Sequence, residues 1–160
     1  MIRWLMRTVV FGSIFLMLAG TTVLADNGCP PSGMSFFVPA TSGGGTEAGG
    51  GTDWFDSGVW LNGESVTVRA SGIWSDCGNT SAECGATPDG SGVQRIRGCR
   101  YIAPQFSAGG LIARVGDSDA ISVGSGPVAL SGTGPVRFAI NDCYFGDNVG
   151  GFNVTMMPAT

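Results

Sequence analysis

The chain contains no histidine and no lysine, so its eight basic residues are all arginine. Those two absences exclude a Ser-His-Asp or Cys-His nucleophile pair within the chain, histidine-ligated zinc and Schiff-base lysine chemistry. Charge is also scarce. Asp, Glu, Lys and Arg make up 12% of the 160 residues, and the net charge is −4. A nucleic-acid binder needs a basic stripe to neutralise phosphates, and none is present. Past residue 25, no window of about eleven residues keeps a helical period free of Gly and Pro. Disorder is excluded from the other side, because 43% of residues are hydrophobic and 9% aromatic. What the sequence does have is glycine, 28 residues of it. Short strands separated by glycine turns are the expected outcome.

The N-terminus reads as a secretory signal. Arg3 and Arg7 form a positive region, an apolar run covers residues 9–18, and Val23 and Ala25 fit the −3 and −1 positions of a signal-peptidase site. The run is short for a membrane span, which needs about 20 residues. Cleavage after Ala25 predicts a secreted or periplasmic protein with no membrane span. Cys29 follows Asp26, Asn27 and Gly28, which are not a lipobox. All five cysteines (Cys29, Cys77, Cys84, Cys99 and Cys143) lie beyond the leader, in what would be an oxidising compartment. Two disulfides at most can form within the chain, and their pairing stays open. A bridge is expected to staple the stretch holding Cys77, Cys84 and Cys99.

Alternation with period 2 marks the strands. Val66, Val68 and Ala70 share one face, as do Val136, Phe138 and Ile140, and again Phe152, Val154 and Met156. Further short runs cover 111–115, 120–123 and 128–130, each ended by Gly, Pro, Asp or Ser. Strands of this spacing predict an all-β fold, an antiparallel sandwich or barrel. Residues 34–38 read as an additional strand, joined through a Gly-rich connector over 42–52 to a body spanning 53–160. A second loop runs from residue 76 to about 98. Trp54, Trp60 and Trp74 are expected to pack in the core or on a sheet face. Asp117 and Asp119 read as turn residues.

Chemistry concentrates near the end, where Asp142, Asp147 and Asn148 place hard oxygen donors within seven residues between two alternating strands. Calcium accepts six to eight such oxygens in irregular geometry. The same residue types also build ordinary turns, whose side chains cap the backbone. Composition leaves both readings standing.

The stretch from Trp54 through Asp56, Trp60, Gly63 and Glu64 to Trp74 resembles the opening strands of LecA-like (PA-IL type) bacterial galactose-binding lectins. The segment 110–117 resembles their central strand, and Ile140-Asn141-Asp142, Asp147-Asn148 and Gly151-Phe152-Asn153-Val154 resemble their calcium loop and last strand. The likeness covers about 53–156. It implies a jelly-roll-like antiparallel β-sandwich holding one Ca2+, with two sugar hydroxyls completing the coordination. Carried over, Asp142, Asp147 and Asn148 would be side-chain ligands. A carbonyl of Tyr144 or Phe145 would join them, with another from the segment 74–77. Asp142, Asp89, Gln94 and Tyr144 would contact sugar, and Tyr144, Phe145 or Trp74 could stack on the ring. The chain departs from the family in lacking its sugar-contacting His, in a shorter loop between Asp142 and Asp147, and in the sequence of the second loop. The resemblance implies a non-enzymatic, calcium-dependent protein that binds carbohydrate, galactose-like or another glycan. Homo-oligomerisation stays open. The alternative is a structural or adhesion sandwich without sugar binding. A glycosidase built on an acid pair such as Asp53/Asp56 has no supporting motif.

Overall fold

The computed structural model of the chain describes residues 33–43, 53–76, 85–91 and 100–159. The segment expected to be a signal, most of the connector, Gln94 and four of the five cysteines lie outside these residues. Seven strands follow one another: β1 (Met34–Pro39), β2 (Phe55–Ser75), β3 (Gly85–Ala86), β4 (Leu111–Val115), β5 (Ile121–Ser122), β6 (Val128–Ile140) and β7 (Val149–Pro158). There is no helix among the described residues, and hence none long and apolar enough to cross a membrane.

All strand pairs are antiparallel, in the order β1-β7-β2-β6-β4-β5, with β3 on the end of β2. The long β2 turns this single sheet into a sandwich. Its first part, from Phe55 to Val68, pairs with β6, and its second, from Val66 to Ser75, pairs with β7. Register shifts after Asp56 and after Asn62 mark bulges, which bend a strand and increase its twist. One layer is therefore β1, β7 and the second part of β2; the other is the first part of β2, β6, β4 and β5. Phe36 of β1 confirms that the two face each other. Its ring stacks on Phe55 and tilts against Phe138, both with centroids at 5.4 Å, although Phe55 and Phe138 belong to the opposite layer.

The alternating residues do what their period requires. Val66, Val68, Val136, Phe138, Ile140, Phe152 and Val154 are all fully buried in one core. Each such burial contributes roughly 1.5–3 kcal/mol. A smaller cluster of Ala103, Ile112 and Ala139 lies on the outer face of β4 and β6, with Ile102 and Phe106 packed against it.

Two expectations need correction. The run Ser131-Gly132-Thr133-Gly134-Pro135 does not end a strand; β6 passes straight through it. Pro135 sits within the strand opposite Trp60, and its carbonyl accepts from the Gly116 amide at 2.9 Å. Second, Trp60 is 62% exposed, because the first part of β2 alternates Ser57, Val59 and Leu61 inward and Trp60 outward. Trp74 is buried as expected, and Trp54 lies half-buried under the guanidinium of Arg114, 4.4 Å from its ring centre.

Candidate functional site

One end of the sandwich gathers five chain segments. Asn141 follows β6 directly. Its backbone amide donates to Gly110, and its carbonyl accepts from Gly109 at 3.0 Å. The 85–91 segment joins the same corner through the Leu111 amide, which donates to Pro88 at 2.8 Å, and through a bridge between Asp89 and Gly110. The end of β1 arrives through the Ile140 amide, which donates to Ser42, and the Ala40 amide, which donates to Gly150, both at 2.9 Å. The end of β2 contributes Trp74, whose indole Nε1 donates to the Gly109 carbonyl at 2.7 Å. Gly109 has a φ of +77°, and a Cβ there would sit 2.9 Å from the Trp74 ring, so only glycine allows this seat.

Asn141 is the hub. Its fully buried amide accepts from the Ala103 N–H and donates to the carbonyls of Ala103, Phe106 and Ser107, at 2.9 to 3.2 Å. One side chain thus ties the 103–107 loop to the end of β6. Beside it, Asp142 is 8% exposed. Its Oδ1 accepts from the Cys143 amide at 2.7 Å, and its Oδ2 from Asn148 Nδ2 at 2.9 Å. Burial pushes the Asp142 carboxyl above its ordinary value. The hydrogen bonds from Asn148, Cys143 and Tyr144 oppose that rise, and the nearby charge of Asp76 adds to it.

Asn148 is 7% exposed and uses both amide protons, the second going to the Ala40 carbonyl at 3.0 Å. Its Oδ1 is buried with no hydrogen-bond partner. The amide cannot be turned to relieve this, since Oδ1 would then face a carbonyl and a carboxylate, both acceptors. A buried oxygen without a donor needs an explanation, and a cation is a sufficient one.

The sequence-derived residues divide accordingly. Asp142 and Asn148 are brought together. Tyr144 supports Asp142 through its backbone amide, and its ring is 55% exposed. Asp147 stands exposed on the turn before Asn148. Among the described residues no three Cys, Asp or Glu side chains converge on one point. An ion here would therefore rest on one carboxylate, one amide oxygen and backbone carbonyls. Phe145 and Trp74 are buried and so are unavailable as platforms for a ring. The Phe145 carbonyl already accepts from the Asn148 amide at 3.3 Å, which leaves that of Tyr144 as the better donor. Asp89 closes a tight turn, accepting from the Thr87 hydroxyl and from the Ser91 amide at 2.9 Å. Those bonds hold its carboxyl below the usual range.

Sequence reasoning missed Asn141, Asp76 and the Ala40 carbonyl. The position of Asn141 carried a usable signal, being the residue next in line after three inward positions of β6. A backbone carbonyl such as that of Ala40 carries none.

The fold and this corner define a class: an antiparallel β-sandwich with a buried carboxylate–amide pair at the loop end. No family model matches the chain, and no curated protein matches it. Among solved structures the chain is similar to one described as "EclA N-terminal domain; PllA-like lectin", at 22% identity and a TM-score of 0.51, covering 78% of this chain and 95% of that one. At that identity the likeness shows a shared fold, and it does not single out the LecA type.

Proposed function

We propose that this protein is an exported, non-enzymatic, calcium-dependent carbohydrate-binding module, with its site at the Asp142–Asn148 corner. The observation that carries the reading is the unpartnered Asn148 Oδ1, held beside a buried carboxylate. The described lectin neighbour, which shares the fold, supports it. In the ion-free protein Asp142 bears a desolvated charge close to Asp76. A divalent cation removes that cost, and calcium tolerates the mixed set of carboxylate, amide and carbonyl oxygens. Asp142, Asn148 and the Tyr144 carbonyl would hold it, with Asp147 completing the set from the turn. Bound calcium with open positions takes vicinal sugar hydroxyls in place of water. Asp142 accepts hydrogen bonds from those hydroxyls, the exposed Tyr144 ring covers an apolar sugar face, and Asp89 contacts the rim.

The test is glycan-array binding of the secreted protein, with and without chelator, repeated with Asp142→Ala. Binding that needs calcium and is lost in the variant supports the reading. Sugar binding wholly indifferent to both overturns the calcium-dependent site, and calcium binding without any glycan overturns the reading in favour of a structural or adhesion domain.

A further inference from the structure

Far from that corner, Trp60 stands on the wall of an open cavity of about 340 Å³, shared with Asp117, Thr133, Pro135 and Arg137. β4 separates the two places. Gly110 adjoins Asn141 at one end of it, and Gly116 lines the cavity at the other, six residues or about 20 Å away along an extended chain. We propose that this cavity is a second, calcium-independent binding site, and that its ligand is a neutral pyranose ring.

Three features point to that chemistry. The first is Trp60 itself, a large ring displayed at 62% exposure on a strand whose neighbouring apolar side chains, Val59 and Leu61, are buried. An exposed indole offers a flat apolar face of the kind that stacks on the C–H face of a sugar. The second is the floor. Gly116 and Gly134 lie back to back, both at positive φ; a Cβ on Gly116 would meet the Thr133 carbonyl at 2.7 Å, and one on Gly134 would meet the Gly116 Cα at 2.6 Å. The two glycines keep this floor free of side chains and open a hollow beside the indole. The third is the charge pattern. Arg137 lines the hollow with its Nε 3.5 Å from Asp56 Oδ2, both side chains partly exposed, and Asp117 faces it from the turn after β4.

Donors and acceptors thus stand together beside an aromatic face. Hydroxyls, which both donate and accept, satisfy both kinds of group at once. A purely apolar ligand would strip water from Arg137 and Asp117 without replacing it. Two carboxylates against one guanidinium disfavour an anion. The volume is within the range of small-molecule sites.

Indole N–H resonances read this directly. Lactose, cellobiose and methyl α-mannoside are titrated separately into the 15N-labelled secreted protein in the presence of chelator, so that the Asp142 corner is silent. Expected is a saturable shift of the Trp60 indole with at least one sugar, half-complete at millimolar concentration. The Trp74 indole, already bonded to Gly109, should stay still. Trp60→Ala should abolish the response in the backbone amides of Gly116 and Gly134. Trp60→Phe should weaken it several-fold, and Asp142→Ala should leave it intact. No response to any of the three sugars at tens of millimolar overturns the proposal. So does a response that survives Trp60→Ala, or sedimentation showing that Trp60 is covered by a second copy of the chain.

Discussion

Asn148 donates one amide proton to Asp142 Oδ2 at 2.9 Å and the other to the Ala40 carbonyl at 3.0 Å, and these two bonds fix its Oδ1 as a buried acceptor without a donor. The pair links the last loop to the end of β1. Under the calcium proposal, an ion would supply the partner that Oδ1 lacks.

Calcium in excess should therefore raise the melting temperature of chelated protein by several degrees. Ion binding to the folded state alone adds about 2.7 kcal/mol at a hundredfold excess over Kd. Magnesium, which demands tight octahedral geometry, should do less. Asn148→Asp is the sharper probe: without calcium it sets a second carboxylate against Asp142 and lowers stability, and calcium should recover much of the loss. Melting curves of wild type and variant with and without calcium check this. A variant whose loss calcium leaves unchanged would show that Oδ1 is no ligand.

Phe138 anchors the sandwich, fully buried and touching Phe36 across the two layers. Phe138→Ala should cost about 3–5 kcal/mol in denaturant unfolding, as large cavities in a core do. Phe36→Ala should cost less, since that ring is only partly buried. Equal losses would mean that the two layers meet mainly through Phe36.

The legible part of the fold was the part governed by alternation. Val66, Val136 and Phe152 sit on period-2 stretches, and burial followed. Trp60 was misplaced because a tryptophan's size argues for the core, whereas the strand period, set by Val59 and Leu61, sends it outward. β6 running through Pro135 was hidden because turn residues and strand irregularities share the same glycines and prolines. At the site, Asp142 and Asn148 stood out by their chemistry. The Ala40 carbonyl that accepts from Asn148 and the Asp76 charge that repels the Asp142 carboxylate depend on which strands pair, and β1 against β7 is a contact across more than a hundred residues.

Asp89 predicts an acid limb for the 85–91 turn. Its carboxyl is held low, first by the Thr87 hydroxyl and then by the Ser91 amide. A carboxylate with a depressed folded pKa contributes stability above its unfolded pKa and loses it as pH falls through the folded value. Asp89→Asn keeps the size and an acceptor but cannot titrate. Its melting temperature should fall less than that of wild type as the solution is acidified below the ordinary carboxylate range. Parallel curves for the two proteins would show that the turn does not depend on the charge.

Asn141 should prove the most sensitive residue of the corner, although it touches neither the proposed ion nor a sugar. Its side chain makes four hydrogen bonds to the backbone of Ala103, Phe106 and Ser107. Asn141→Ala leaves these groups without partners until water enters, at about 1–3 kcal/mol for each that stays buried. A total of about 2–4 kcal/mol is expected if the 103–107 loop partly opens. Asn141→Asp should be worse at neutral pH, because it turns an acceptor toward the carbonyls that the amide donated to. Its carboxyl pKa must then be raised in the folded state, so the variant should be penalised progressively as pH rises from the unfolded carboxylate value toward the folded one. Acidification should bring the two variants together. Urea unfolding across that pH range measures both effects, and hydrogen exchange at the Ala103 amide reports the loop directly. A loss below about 1 kcal/mol in Asn141→Ala, with Ala103 still protected, would mean that the loop is held by Ile102 and Phe106 packing on Ile112 and Ala139 instead.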